Sequence, residues 1–326
     1  MGFSSNELSV RLEREKSVLE SKIIGLAPSD RLGTIRVIVV LCAIFNVVFQ
    51  DFNLLAQAAE LAYRPEGLLQ AIPGQWIDGL FHSETALLFF KAVLLLVLLS
   101  ALAGFHARIS LFVATVLYAF YLGVFRAGAW SLDNGILPLY LMFIMIWLPS
   151  GETFSFDQWR RRDYAHLKLD DRPSASIGWS IFLVRSVLVF SYFQSALSKI
   201  QNTGWGWVRP WRLRQFLMED SLIFSHAAWI PHFVNSPDAF WALLACSVMG
   251  LELFFPGILL VRNFRILYLL AAVLVRSLIL IPQNIFFHDL ILLQFIFYDW
   301  DRILPLRPPA EHDRRKGNVL FRIKKT

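Results

Sequence analysis

Eight long apolar stretches constrain this chain more than any other feature of its sequence. A helix of roughly 20 apolar residues can cross a bilayer, because its backbone groups are all hydrogen-bonded within the helix. The chain is therefore predicted to be an all-α polytopic membrane protein with about eight transmembrane helices. The fourth and eighth stretches are short for this purpose and need flanking residues or shielding by protein. The stretches lie at about residues 35–52, 85–104, 109–125, 135–148, 177–197, 239–261, 264–282 and 284–298.

Composition agrees with this prediction. Of the 326 residues, 56% are apolar and only 17% are charged, and the mean hydropathy is +0.52. Soluble domains normally carry more charge and fewer long apolar runs. The two cysteines, Cys42 and Cys246, both lie inside apolar runs and form no CxxC pair. Disulfide and cysteine-based metal chemistry are therefore not expected.

The distribution of lysine and arginine predicts the orientation of the chain. Basic residues are concentrated in segments 1–36, 160–172 and 302–325, whereas the loop at 53–84 contains a single arginine. Short cytoplasmic loops are enriched in Lys and Arg, so both termini are predicted to be cytoplasmic. The net charge of +6 is thus attributed to topology, and no nucleic-acid partner is expected.

Three regions follow from these patterns. Residues 1–33 are predicted to be a cytoplasmic segment whose amphipathic helix lies on the membrane surface. Residues 34–300 form the transmembrane domain, and residues 301–326 form a basic cytoplasmic tail. The segment 198–238 breaks the charge rule, because it carries four cations on the predicted outer side. This excess suggests that these cations serve a function there.

Ionisable residues inside predicted spans are candidates for function, because a charge in hydrocarbon is costly. Glu252 and Arg276 lie on helices joined by a short turn, so these helices are expected to be antiparallel neighbours. We predict that Glu252 forms a buried ion pair with Arg276 or Arg185. This pair either fixes the packing of the helices or belongs to a proton or ion path. Lys91 is expected to extend outward to the membrane interface.

Lys199 follows the fifth apolar stretch and is the main candidate for chemistry. An amine held in an apolar opening loses solvation, which favours its neutral form and makes it a candidate general base. The alternative is an interfacial lysine that contacts lipid headgroups beside Trp205 and Trp207. No metal site is predicted, since His226 and His232 lack the spacing of metal ligands and a third ligand nearby.

Several motifs along the chain resemble one known family. These motifs are YRPEGLLQ, GFHARIS, WLPSGETFSFDQWRRR and YFQSALSKIQNTGWGWV, in this order. They are similar to stretches of the vitamin K-dependent gamma-carboxylases and of their bacterial relatives, the HTTM (horizontally transferred transmembrane) proteins. The resemblance covers about residues 30 to 300 and is stronger toward the bacterial relatives, which implies a location in a bacterial inner membrane.

The resemblance implies a base and a cofactor. The matching lysine of the carboxylases deprotonates vitamin K hydroquinone, so Lys199 is the implied base and a quinone-like lipid is the implied cofactor. The family histidine before the fourth helix is replaced here by Asn134 or Asp133. Asparagine can donate a hydrogen bond to a developing oxyanion but cannot shuttle protons as imidazole does. The large soluble domain that binds the peptide substrate in the carboxylases is not expected in this chain.

Three classes of function remain open from the sequence. The first is a quinone-linked enzyme, of the gamma-carboxylase-like lyase or oxidoreductase type, acting on a peptide or protein substrate. The second is a non-catalytic accessory membrane protein for maturation or export of a partner. The third is a transporter with Glu252, Arg185 and Arg276 on its path. For the enzyme, Lys199, Asn134 and His288 are predicted to line one outward-facing pocket, with Trp205 and Trp207 binding the cofactor.

The predicted topology can be tested with reporter fusions. Fusions placed after residue 170 and after residue 220 should report opposite sides of the membrane, because one apolar stretch separates them. Fusions that report the same side would rule out this arrangement.

Overall fold

A computed structural model describes residues 24–50, 83–128, 135–165, 173–215, 218, 235–261, 265–283 and 288–300. Within these ranges the protein is built from helices, and the only extended pairing is a single bridge between Ala27 and Ser174. The prediction of an all-α protein is confirmed for this part of the chain. The predicted amphipathic helix at 6–26 lies almost entirely outside the described residues, as does the tail at 301–326.

The described residues form ten α-helices and two short 3₁₀ helices. One 3₁₀ helix, Gly204–Val208, directly follows α6, and the other, Gln294–Phe297, directly follows α10. The α-helices are α1 Ser29–Phe49, α2 Glu84–Ala103, α3 Ala107–Gly128, α4 Ile136–Trp147, α5 Phe156–Ala165, α6 Ala175–Thr203, α7 Asp238–Phe254, α8 Gly257–Leu260, α9 Arg265–Gln283 and α10 His288–Leu293.

Four helical segments are long and apolar enough to cross a membrane, which supports an integral membrane protein. They are Ser29–Phe49, Glu84–Ala103, Ala107–Phe125 and Ala175–Val208, and the last one combines α6 with its 3₁₀ extension. The helical segments Ile136–Trp147 and His288–Phe297 are apolar but shorter. Eight full spans are therefore not established. The predicted sixth span is interrupted, because α7 ends at Phe254 and Pro256 cannot donate a backbone hydrogen bond to continue it.

Local sequence signals explain where the long helices begin and end. The side chains of Ser83 and Ser174 accept hydrogen bonds from backbone N–H groups of the first turns of α2 and α6. Gly104 ends α2 in the left-handed conformation, with φ of 68°. α6 contains 29 residues and continues to Thr203, beyond the apolar stretch at 177–197. Lys199, which follows the apolar stretch, therefore still lies inside the helix, about one turn before its end.

α1 is the central element of the main apolar core. It packs against α2, α4, α6 and α10, and seven of its apolar side chains are buried. A second, smaller apolar cluster lies where α7 packs against the end of α6, and it contains the buried Trp207 and Trp241. The junction of these two apolar clusters is where the charged residues described below meet.

Charged side chains hold the ends of several helices in place. Arg36 of α1 is fully buried and donates hydrogen bonds to the backbone carbonyls of Ser150 and Phe154, in the segment after α4. Lys91 of α2 donates to the carbonyls of Val48 and Gln50 at the end of α1, at 3.3 and 3.0 Å. The ammonium of Lys91 therefore reaches the end of α1, and its extension to the membrane interface stays a prediction. The last carbonyls of α1 lack partners within the helix, and they bind the ammonium group instead.

Arg36 should be a main determinant of stability. Arg36→Met keeps most of the apolar volume but leaves two buried carbonyls without their donor, so we expect the free energy of unfolding to fall by about 2–4 kcal/mol. Thermal unfolding of the purified protein in detergent measures this change. Arg209→Met is the matched control, because Arg209 is exposed. Equal melting temperatures for the two variants would show that Arg36 is not important for stability.

Candidate functional site

Three charged side chains from three helices meet between the two apolar clusters. Glu252 of α7 accepts a hydrogen bond from Nζ of Lys199 on α6 through its Oε2 atom. Its Oε1 atom lies 3.4 Å from the guanidinium of Arg276 on α9. The Glu252 side chain is only 4% exposed, so both of its oxygens are held by cations away from bulk water. We call these three residues the charged cluster.

Neighbouring groups fix the two cations. Lys199 donates a second hydrogen bond to Oγ of Ser195 at 2.9 Å, and its ammonium lies 5.0 Å from the ring centre of Trp207. The guanidinium of Arg276 lies 5.4 Å from the ring centre of Tyr192. Both cations therefore lie near the faces of aromatic rings, an arrangement that stabilises a desolvated positive charge.

The charged cluster lines a cavity of about 340 Å³. Apolar side chains from α4 and α10 form part of the wall, together with the rings of Tyr140 and Tyr192. Asp289 is a further acidic group at this wall, buried and held by the backbone N–H of Gly135 at 3.0 Å. The cavity thus combines an apolar wall with a few fixed polar groups, as small-molecule sites generally do.

The sequence of α6 places its polar residues on one face. Tyr192, Ser195 and Lys199 are spaced by three and four residues, which puts them on the same side of the helix. Tyr192 is held further by a hydrogen bond from Gln294 at 3.1 Å and by stacking on Phe255, with ring centres 4.1 Å apart. The polar face of α6 is therefore held by Gln294 and Phe255 at Tyr192 and by Glu252 at Lys199.

Arg185 lies in a different cluster. Its guanidinium is 3.5 Å from Asp299, which also pairs with Arg31 at 3.1 Å. Its Nε donates to the carbonyl of Ile296 at 3.0 Å. The structure thus brings Glu252 together with Arg276 but not with Arg185. The physical reason is position along α6, since Arg185 precedes Lys199 by 14 residues, or about 21 Å of helix.

His288 also lies away from the cavity of the charged cluster. Its Nε2 atom is 2.6 Å from Oδ1 of Asn46, and it lines a separate cavity of about 100 Å³. The neighbouring Asp289 faces the charged cluster instead. The predicted single pocket containing Lys199 and His288 is therefore not what the structure shows. Asn134, Asp133, His226 and His232 lie outside the described residues.

The two predicted cofactor-binding tryptophans contribute differently. Trp207 is buried in the smaller apolar cluster and covers Lys199, whereas Trp205 is 67% exposed. Neither is among the described residues that line the cavity. Sequence reasoning missed Tyr140, Tyr192 and Ser195. The periodic spacing of Tyr192 and Ser195 with Lys199 on α6 was the available signal.

Comparisons of the chain with family models, with curated proteins and with solved structures give no match. The site is therefore interpreted from its own geometry.

Double-mutant cycles can test the charged cluster. Glu252→Gln alone should lower the free energy of unfolding by about 3–5 kcal/mol, because it leaves two partly buried cations without their anion. The change in unfolding free energy of the double variant Glu252→Gln/Lys199→Met should differ from the sum of the two single changes by about 1–3 kcal/mol, since the two residues are in contact. Thermal or denaturant unfolding in detergent gives these values.

Arg185→Met is the matched control for this cycle. Arg185 belongs to the cluster with Asp299, so its effect should add to that of Glu252→Gln within about 0.5 kcal/mol. Additivity between Glu252 and Lys199, or strong coupling between Glu252 and Arg185, would contradict the two separate clusters.

Proposed function

We propose that this integral membrane protein binds a quinol-like lipid in the cavity of the charged cluster and removes a proton from it with Lys199. The observation that carries the proposal is the meeting of Lys199, Glu252 and Arg276 at one cavity between apolar helices. Ionisable residues in membrane segments commonly mark substrate sites and proton paths. The resemblance of the sequence to gamma-carboxylase-like HTTM proteins supplies the class of ligand.

The cavity has a suitable size and chemistry for such a ligand. Its volume of about 340 Å³ falls in the range of roughly 300–1,000 Å³ that is usual for small-molecule sites. Leu137, Leu290 and the ring of Tyr140 provide apolar and aromatic surface for a flat ring. Lys199 and Arg276 provide two positive groups for an oxygen that becomes negative. A bound quinol would supply an acidic phenol hydroxyl.

The contacts of Lys199 also support a role in proton transfer. In the ion pair, Nζ of Lys199 already donates a hydrogen bond to Oε2 of Glu252. Movement of that proton to Oε2 leaves a neutral amine beside a neutral carboxylic acid, and it removes two opposite charges from a site with little water. The amine can then accept one proton from the ligand hydroxyl. Arg276 keeps its charge and stabilises the resulting anion.

The other functions gain less support from the geometry. A transport path through Glu252, Arg276 and Arg185 would require these residues to share a pathway, but Arg185 lies with Asp299 in a separate cluster. A non-catalytic accessory role would need no ligand in the cavity. The experiment below distinguishes this role from the proposed enzyme.

The proposed base can be tested with the full protein in detergent and a short-chain naphthohydroquinone as probe. Oxygen uptake reports the deprotonated probe, because the naphtholate reacts with oxygen faster than the neutral form. We expect Lys199→Ala to lose the protein-dependent rate by roughly 10²-fold or more, the usual contribution of a general base. Lys199→Arg should fail similarly while it preserves the ion pair with Glu252, because a guanidinium cannot accept a proton near neutral pH.

Lys91→Arg is the matched control. Lys91 is also a lysine on an apolar helix, but it binds the end of α1, so this variant should keep the rate of the unmodified protein. An active Lys199→Arg variant would show that Lys199 is not the base and that its role is structural. An unmodified protein that neither binds nor accelerates oxidation of the probe would favour the accessory role.

A further inference from the structure

A second cavity, of about 510 Å³, lies at the opposite end of the helix bundle from Lys199. It is formed by the turn between α2 and α3, the segment after α4, and the start of α5. The proposed proton transfer does not involve it. Five ionisable side chains line this cavity: His106, Arg108, Glu152, Asp157 and Arg160.

The backbone around this cavity is held in a fixed shape. Both carboxylate oxygens of Asp157 accept hydrogen bonds from the first backbone N–H groups at α3, those of His106 at 3.0 Å and Ala107 at 3.1 Å. His106 has a φ of 44°, in a region that non-glycine residues rarely adopt. A Cβ atom on Gly104 would lie 2.5 Å from the Cβ of Ser155. The α2–α3 turn and the start of α5 are therefore in close contact.

The charges that remain free to act on a ligand are mainly positive. The carboxylate of Asp157 binds the backbone N–H groups at the start of α3, where its negative charge interacts with the positive end of the helix dipole. Arg108 and Arg160 are exposed, and no ion pair with a described carboxylate holds either of them. Glu152 is the other acidic group of the lining. Besides the Asp157 carboxylate bound at the start of α3, the lining thus contains two guanidinium groups, an imidazole and the carboxylate of Glu152.

Exposed aromatic rings flank the same cavity. The rings of Phe105 and Phe156 lie 5.8 Å apart, and those of Phe156 and Trp159 lie 5.2 Å apart. All three side chains are exposed, and Trp159 precedes Arg160 on α5. Aromatic side chains are enriched where membrane proteins meet the lipid headgroups. This cluster therefore favours a position of the cavity at the level of the headgroups.

We propose that this cavity binds the phosphate group of an anionic membrane lipid. Arg108 and Arg160 bind the phosphate oxygens, because a guanidinium offers paired N–H donors that match this geometry. The aromatic cluster of Phe105, Phe156 and Trp159 contacts the adjoining acyl region. Basic pockets between membrane helices are known to bind anionic headgroups. The aromatic cluster is what favours a lipid over a free phosphate ion.

Thermal unfolding in detergent with added phosphatidylglycerol or phosphatidylcholine tests the proposal. Phosphatidylglycerol should raise the melting temperature of the unmodified protein more than phosphatidylcholine does. The double variant Arg108→Gln/Arg160→Gln should need a phosphatidylglycerol concentration roughly tenfold or more higher for the same shift, since each arginine near an anionic surface contributes a factor of about five. Both side chains are exposed, so the variant is expected to fold.

The matched control is Arg209→Gln/Arg212→Gln, which removes the same charge at the other end of the bundle. It should respond to phosphatidylglycerol as the unmodified protein does. A third titration with inorganic phosphate separates the two sources: an equal shift with phosphate alone would assign the site to a soluble phosphate. An unchanged lipid response of the Arg108→Gln/Arg160→Gln variant, or an equal loss in the control, would overturn the proposal.

Discussion

Helix ends in apolar surroundings leave backbone N–H and C=O groups that water cannot easily reach, and this protein satisfies several of them with charged side chains from other helices. Lys91 binds the last carbonyls of α1, and Arg36 binds carbonyls in the segment after α4. Asp157 accepts hydrogen bonds from the first N–H groups of α3. Each contact joins elements that are distant in sequence. Several charged residues of this chain therefore stabilise the helix bundle.

The charged cluster differs from these contacts because its members bind one another. Lys199, Glu252 and Arg276 come from three different helices and meet where two apolar clusters adjoin. A buried ion pair is weak evidence for stability, because the cost of removing both charges from water can exceed their attraction. Its position at the wall of a cavity, beside Tyr192 and Asp289, therefore supports a functional role more than a purely structural one.

The sequence predicted the helical class and an ion pair of Glu252 with Arg276 or Arg185, and the structure shows the pair with Arg276, whose helix follows that of Glu252 after a short connection. It did not predict that Lys199 reaches Glu252, because the apolar stretch ends near residue 197 while the helix continues through polar residues that tolerate helical geometry. Gly204, with φ of 58°, marks the actual end. The partner of Arg185 was also missed. Asp299 directly follows the last apolar stretch at 284–298 and so lies outside the predicted spans.

The length of α6 has a consequence for the membrane itself. Its 29 residues extend about 43 Å, whereas the hydrocarbon core of a bilayer is about 30 Å thick. Such a helix must tilt, thicken the bilayer locally or extend into the headgroup region. Lys199 lies in the last part of this helix, so its depth depends on which of these adjustments occurs. The position that α6 adopts therefore links bilayer thickness to the access of lipid-soluble molecules to the charged cluster.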